Sequence, residues 1–401
     1  MVYGICFLEP SSLAALPSRF MWVMSNNILI AVPLFIYMGI MLEKSGLAES
    51  MLESMAMLFG RVRGGLAISV VIVGALLAAS TGIVGATVVT MGLISLPVML
   101  KRGYQTELAT GTIASSGTLG QIIPPSIVLV LLGDTLQIPV GDLFRAALMP
   151  GLILVGAYIL YILVLARIKP DYAPAIPQEE IKEFQKEGYM MKMFQAFFLP
   201  LLLIVAVLGS IFSGIASATE ASAIGAFGAC LLMIFQGKFS WEIVREVGHE
   251  TTKLTSMVFL ILLGATTFSF VFRSLGGDRY LIELVEAAQF TPMVFLIIVM
   301  VVVFIMGFFI DFIEIIFIFV PVIAPILESF GVDLVWVGIL LALNLQTSFL
   351  SPPFGFSLFY LKGVAPAGVT TGHLYRGIIP FLLIQLVLLS LVFLFPCLIG
   401  L

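Results

Sequence analysis

Apolar and polar positions fall along this chain in long blocks, and the blocks repeat. Between Ala79 and Ser126 an apolar run breaks at Ser80-Thr81-Gly82, resumes to Leu100 and turns at Lys101-Arg102-Gly103. It breaks again at Ser115-Ser116-Gly117-Thr118-Leu119-Gly120, just before Pro124-Pro125-Ser126. Between Gly307 and Gly355 the plan returns: an apolar run interrupted by Asp311 and Glu314, then Pro321, a turn at Gly331, and a polar break from Asn344 to Ser351 before Pro352-Pro353. Pro97, Pro124 and Pro150 find counterparts at similar spacing in Pro321, Pro352 and Pro380. Gly- and Pro-interrupted hydrophobic segments at matching places in two halves point to the binding site of a transporter.

The remaining blocks supply the elements around these breaks. Residues 1–20 hold only a short apolar stretch, ended by Glu9-Pro10-Ser11-Ser12. Residues 21–63 read as a scaffold helix kinked at Pro33, then an interfacial arm in which Glu49 and Glu53 alternate with Met and Leu at helical spacing. Residues 64–168 form a first repeat core: a hairpin over 64–100, a broken helix over 105–132 and a returning helix. Residues 169–192 are a polar linker rich in Pro, Glu and Lys, placed in the cytoplasm. Residues 193–254 give a scaffold helix pair and a second amphipathic arm, and 255–400 a second repeat with its hairpin over 290–333 and its broken helix over 335–361.

Charge sets the sidedness. Arg61 and Arg63 precede the first hairpin and Lys101-Arg102 follow it, so by the positive-inside tendency it opens to the cytoplasm. The stretch 290–333 has no Lys or Arg, only Asp311, Glu314, Glu328 and Asp333, so the second hairpin opens to the other side. Arg273 and Arg279 run against that tendency. Each hairpin arm is about 17 residues, near the lower limit for a span, which favours re-entry over crossing. The fold class is therefore an all-α polytopic membrane protein built of inverted-topology repeats, each with a re-entrant hairpin and a broken transmembrane helix.

Composition agrees: 61% of the chain is hydrophobic and 10% charged, against roughly 45–50% and 25% in soluble domains. A net charge of −4 gives no nucleic-acid signal. Cys6, Cys230 and Cys397 have no CxxC spacing and read as small hydrophobes. His249-Glu250-Thr251-Thr252-Lys253 lacks the second His of a zinc-protease helix, and no GxxxxGK[ST] loop is present. The chain is not read as an enzyme, and no cofactor is expected.

Backbone that is not helical cannot face lipid, so the four breaks must line a cavity or coordinate something. Carbonyls and hydroxyls offer hard oxygens for Na⁺, and half-helix N-termini attract a carboxylate. The sodium candidates are Ser80, Thr81, Gly82, Ser115, Ser116 and Thr118 in the first half and Asn344, Gln346, Thr347 and Ser351 in the second. The substrate candidates are Gly85, Gly117, Pro124, Pro125, Asp311, Glu314, Pro352 and Pro353. Asp311 and Glu314 are costly inside a bilayer and are functional by default. Arg145 and Arg376 read as anchors of helix ends.

The chain resembles the large membrane (M) subunit of TRAP (tripartite ATP-independent periplasmic) transporters over about residues 26 to 400. The resemblance is carried by Ile30-Ala31-Val32-Pro33-Leu34-Phe35, by Lys101-Arg102-Gly103-Tyr104, and by the stretch from Ala114 through Ser115-Ser116-Gly117 to Gln121 and Pro124-Pro125-Ser126. Thr219-Glu220-Ala221 and Leu350-Ser351-Pro352-Pro353-Phe354-Gly355 add to it. It implies an elevator-type symporter in a bacterial or archaeal inner (cytoplasmic) membrane that couples import of an organic acid to Na⁺. The implied partners are a small four-helix membrane subunit and a periplasmic substrate-binding protein, besides the lipid bilayer and with no nucleic acid. Family members usually have further helices before the region matching Met21, so residues 1–20 read as a truncated start. The first tip lacks the acid many members carry, and the second has Asp311, Phe312 and Glu314 where small residues are commoner, so the usual substrates are not assumed. A self-sufficient divalent-anion/Na⁺ symporter would need paired Ser-Asn-Thr signatures at the tips, which are absent. An intramembrane enzyme would have only Asp311 and Glu314 as its pair, and a purely structural subunit would not carry such costly polar breaks.

Overall fold

The computed structural model describes residues 13–82, 84–177, 179–181 and 197–400, which are helical with no strand among them. Residues 1–12 of the N-terminal segment, and residues 178 and 182–192 of the linker, lie outside the described residues.

A short helix α1 (Leu16–Met24) bends into α2 (Ala31–Lys44), and α3 (Leu47–Phe59) follows as an arm. The bend of 53° falls at the break between Leu16–Met24 and Ile28–Lys44, not at Pro33 as the sequence suggests. Pro33 sits in the first turn of α2, where a missing N–H is tolerated. The arm α3 buries Leu47, Met51, Leu52 and Met55 and leaves Glu49 and Glu53 exposed, the split that its spacing predicts.

The first repeat continues with hairpin arms α4 (Gly65–Thr81) and α5 (Val84–Lys101), broken-helix halves α6 (Thr106–Thr118) and α7 (Ile127–Leu136), and α8 (Val140–Ile168). After the linker come α9 (Leu199–Phe212) and α10 (Ala218–Phe235), the latter closed by a Ser217/Glu220 capping box. The second repeat is α11 (Trp241–Ser274), the arm α12 (Gly277–Ala287), hairpin arms α13 (Pro292–Met306) and α14 (Phe312–Ser329), halves α15 (Leu334–Leu350) and α16 (Phe356–Val364), and α17 (Thr371–Leu394). The amphipathic stretch 241–253, expected as a separate arm, is continuous with its crossing helix. Ser240 caps it by accepting from Glu242 N, and no proline interrupts the 34 residues that follow. Among the described residues six helices are long and apolar enough to cross a membrane, or seven with the bent pair; two of the six, α5 and α14, are hairpin arms, and the shorter apolar helices are α4, α7, α13 and α15 of the hairpins and broken spans, with α9 outside them.

The two repeats interlock through their closing helices, α15 packing on α17 of its own repeat as well as on α8. The first half-helix α6 packs on α17, and α15 packs on α8. At the α6–α17 crossing the backbones nearly touch: a methyl group on Gly111 would lie 2.1 Å from the Gly377 carbonyl oxygen. Thr110 Oγ1 also reaches the His373 carbonyl. At its other end α17 accepts the Trp336 indole N–H on the Val392 carbonyl, 2.9 Å away, beside the start of α15. One helix of 24 residues, roughly 36 Å long at 1.5 Å per residue, thus runs from the mouth of the first hairpin to the mouth of the second. The hairpins therefore open at opposite ends of the molecule.

The mouth of the first hairpin is sewn to the linker. Gly64 N–H donates to the Ala173 carbonyl (2.9 Å), Gln105 N–H to that of Tyr172 (3.0 Å) and Ile176 N–H to that of Gly60 (2.8 Å). Tyr104 accepts from Leu66 N–H at the start of α4, and burial pushes its phenol up to about 12. Arg102 grips Glu180 with both terminal nitrogens, at 2.7 and 3.1 Å, holding that carboxyl below its usual range.

Crowding an axial helix crossing costs about 1–3 kcal/mol. Gly111→Ala should therefore lower the thermal unfolding midpoint in detergent by several degrees, while Gly156→Ala, which meets nothing within 4 Å, should leave it unchanged or raise it.

Candidate functional site

The breaks arise where the chain cannot continue a helix. Pro124 and Pro125 donate no N–H, and α6 gives way through a turn at Leu119–Gln121 to α7 at Ile127. Pro352 and Pro353 do the same between α15 and α16, with Gly355 in the left-handed region at φ 50°. The Pro-Pro bond is cis in both breaks.

Each hairpin tip seats on the break of its own repeat. Gly82, at φ 59°, ends α4; a Cβ there would lie 2.8 Å from the Ile127 side chain and 3.2 Å from its backbone nitrogen, so the tip covers the N-terminus of α7. In the second repeat a methyl group on Gly307 would collide with Ser348 Oγ at 2.0 Å. The Phe309 and Phe354 rings lie 5.3 Å apart, and those of Phe312 and Phe349 5.9 Å apart. The repeats then meet: a Cβ on Gly85 would touch the Tyr360 ring at 3.0 Å, the Leu119–Gln121 turn packs on α15, and α14 packs on α7. Two tips and two breaks converge at the centre of the molecule.

Most candidate hydroxyls are wholly buried and spend their proton within their own helix. Ser116 donates to the Ile113 carbonyl, Thr118 to Ser115, Thr347 to Leu343 and Ser351 to Thr347, at 2.6–3.0 Å. Asn344 donates to the Met300 carbonyl (2.7 Å), tying α15 to the outer hairpin arm α13. A hydroxyl that has given its proton to a carbonyl keeps its lone pairs, which suits it to a cation. Other side chains have no such outlet, among them Ser95 of α5 and Thr112 of α6. Ser115 Oγ and both amide atoms of Gln121 and of Gln346 are buried with no hydrogen-bond partner in the protein, and each residue is 0% exposed. Leaving such groups unsatisfied costs about 1–3 kcal/mol apiece, an expense a fold rarely retains without function.

Other candidates have structural duties. Gly117 is a spacer, since its methyl group would sit 2.3 Å from Val88, and Gly85 makes room for Tyr360. Pro124 and Pro125 are buried, whereas Pro352 and Pro353 are exposed. Asp311 caps α14 by accepting from Phe312 N–H (2.8 Å), and Glu314 Oε2 is buried without a partner. Arg145 donates to the Phe212 carbonyl at the end of α9, as a helix anchor would. The side chains of Ser80 and Thr81 lie outside the described ones. Among the described residues no group of three or more His, Cys, Asp or Glu could hold a metal, and no Lys, Arg or His occurs between 104 and 144 or between 280 and 361.

Sequence reasoning did not single out Gln121, though a lone amide between Gly120 and Ile122 in an apolar run was its signal. It also did not find Gln385, whose Nε2 donates to the buried Tyr158 hydroxyl at 2.7 Å. Nor did it find the Asn26–Asp134 bond (2.6 Å) between the α1–α2 break and the end of α7. Both join residues more than a hundred positions apart, beyond any local pattern.

Comparison with known proteins gives this arrangement a context. Residues 2–398 match the family described as the tripartite ATP-independent periplasmic transporter, DctM component. A C4-dicarboxylate TRAP transporter large permease protein of Pseudomonas aeruginosa is 31% identical over 393 residues, 98% of this chain and 90% of the relative. An ectoine/5-hydroxyectoine TRAP large permease of Ruegeria pomeroyi is 30% identical over 92% of this chain and 84% of its own length. A sialic acid TRAP large permease of Vibrio cholerae is 27% identical over 92% and 85%. The crystal structure of the Alcanivorax borkumensis YdaH transporter superposes with a TM-score of 0.67 at 15% identity, covering 96% of this chain and 89% of that one, a likeness of fold.

Replacing a buried, unpaired amide by an apolar group of similar shape removes its desolvation penalty. Gln121→Met and Gln346→Met should each hold or raise the unfolding midpoint in ligand-free buffer while reducing transport at least about tenfold, the trade expected of a strained functional site. A drop in stability with transport intact would assign these amides to packing.

Proposed function

Since the chain belongs to the DctM family of tripartite ATP-independent periplasmic transporters, we propose that it imports an organic acid in symport with Na⁺, taking the substrate from a periplasmic binding protein. The observation that carries this reading is the set of buried, unpartnered oxygens and amides on two broken helices, Ser115, Gln121 and Gln346, at the point where both hairpin tips converge. Hydroxyls and carbonyls around the breaks are hard ligands of the kind Na⁺ takes. The cation in turn draws in a carboxylate that the breaks, with no Lys, Arg or His between 104 and 144 or between 280 and 361, cannot hold by ion pairing. The half-helix N-termini at Ile127 and Phe356 assist with their positive dipole ends. Chemical compounds named for the relatives, C4-dicarboxylates, sialic acid and ectoine, all carry carboxylates, which fits an acid as cargo.

The transport step is an elevator-like movement of the hairpins and broken helices as one body. Helices α2, α3 and α9–α12 serve as the scaffold, which a small four-helix membrane subunit completes in the cytoplasmic membrane of a bacterium or archaeon. Lys44 at the end of α2 pairs with Glu246 (2.7 Å) and Glu250 (3.3 Å) of α11, as a static frame requires. Alternating access by one repeat unit moving against a fixed bundle is the expected behaviour of inverted repeats.

Uptake of a radiolabelled organic acid into proteoliposomes should require an inward Na⁺ gradient and all three components. Ser116→Ala combined with Thr347→Ala should reduce it at least about tenfold, the effect of weakening a coupled ion site by about 1.4 kcal/mol or more. Uptake that proceeds equally in K⁺, or with that double variant, would overturn the reading.

A further inference from the structure

The transport step proposed above slides one part of the chain past another, and at one rim the two parts are joined by a built polar contact. It lies at the end of α7 remote from the mouth of the first hairpin, against the break between α1 and α2. There α7 packs on the turn Ile28–Ile30 and on α2. The scaffold side of the contact is pinned: Thr219 of α10 donates to the Asn27 carbonyl (2.8 Å), and Ile28 N–H donates to Asn26 Oδ1 (2.9 Å). With its oxygen so occupied, the Asn26 side chain turns its amide N–H to the Asp134 carboxylate at 2.6 Å. Asp134 is held in turn, because Gln137, left-handed at φ 57°, closes α7 by donating from Nε2 to the Asp134 carbonyl. The same pair of bodies meets again where Arg145 of α8 donates to the Phe212 carbonyl at the end of α9, its guanidinium 5.9 Å from the centre of the Phe212 ring.

The chemistry of the contact suits a joint that opens. Asp134 is 8% exposed and, among the described residues, has no cation paired with it. No Lys, Arg or His occurs between 104 and 144, and Arg145 is engaged on Phe212. A carboxylate buried against a neutral amide adds little as packing, since an apolar pair of the same shape would be about as stable. Beside the bond lies a cavity of about 380 Å³ bounded by Trp22, Ser25, Asn26, Asp134, Gln137 and Ile138. It is large and polar enough to admit water to both groups when they part. The hydrogen bonds that the pair loses are then replaced by water, so the contact opens and closes reversibly. We propose that Asn26 and Asp134 form a catch that holds the moving body against the scaffold in the conformation of this structure, and that each transport cycle breaks and remakes their bond. This rests on the transport reading above and adds to it the contact that meters the movement. Both are positioning residues, remote from the two breaks where cargo and ion would sit.

The test places nitroxide labels at Ser25→Cys and Ile138→Cys, two positions across the same cavity that leave Asn26 and Asp134 in place. The full chain, its native cysteines replaced by serine, is held in lipid nanodiscs, and pulsed electron paramagnetic resonance reads the distance between the labels. Asn26→Asp sets two carboxylates against each other. It should shift the population about tenfold toward a second separation, longer by at least about 5 Å, the height of one helical turn. Asn26→Asp combined with Asp134→Asn restores the bond with its partners exchanged and should return the distribution to that of the parent chain. If Asn26→Asp does not fold, Asn26→Ala decides, because it removes the amide without adding a charge and should move the population the same way. Distributions that these variants leave unchanged, or that merely broaden about one distance as a loosened rim would, overturn the proposal. Sodium-driven uptake in the assay above, with one fixed distance here, would leave the transport reading standing and remove the catch. Two distances redistributed by the Asn26 variants, in a chain whose uptake needs no sodium, would keep the catch and remove the symport.

Discussion

Lipid offers no hydrogen bonds, and the rest of this structure follows from that constraint. An interrupted helix at the depth of the hydrocarbon core must have its loose N–H and C=O groups covered by protein or used by a ligand. Here both breaks are covered by a hairpin tip, Gly82 over Ile127 in one repeat and Gly307 against Ser348 in the other. Neither hairpin could reach its break without small residues at the contact. The packing of α6 on α17 and of α15 on α8 then fixes the two breaks relative to each other. A polar centre thus exists because apolar packing buries its side chains, while Pro352, Pro353 and Phe354 beside it stay exposed.

Within that centre the polar groups divide into two kinds. Ser116, Thr118, Thr347 and Ser351 are locally satisfied and rigid, with lone pairs to spare. Ser115, Gln121 and Gln346 are unsatisfied, and their desolvation is a standing penalty in a fold whose net stability is only about 5–15 kcal/mol. The first kind gives preformed geometry. The second gives affinity, since a ligand that satisfies these atoms recovers what folding lost.

Much of this was legible in the chain because the signals are local. Glycine and proline mark the breaks, the missing lysines and arginines of 290–333 mark the side to which the second hairpin opens, and the short arms mark re-entry. The features that escaped depend on tertiary context. The bend near residue 26 was assigned to Pro33 because a proline in an apolar run looks like a kink until the helix is seen to start beside it. The separate arm at 241–253 dissolved into α11 because a change from amphipathic to apolar composition does not itself stop a helix. The side chains of Gln121 and Ser115 find no hydrogen-bond partner while those of Ser116 and Thr118 do, a difference no spacing encodes. Asp311 and Glu314 stood out on cost alone, while their aromatic neighbours Phe309 and Phe354 are ordinary residues until the tip and the break are brought together.

The central claim is that the buried groups at the two breaks are filled by a cation together with its substrate. Hydrogen–deuterium exchange of the chain in nanodiscs, compared in equal concentrations of Na⁺ and K⁺, tests it most directly. The account predicts that Na⁺ slows exchange selectively in peptides covering 115–129 and 344–358 and leaves α9 and α10 unchanged. Identical exchange at both breaks in the two salts, or a slowing spread evenly over the molecule, would contradict it.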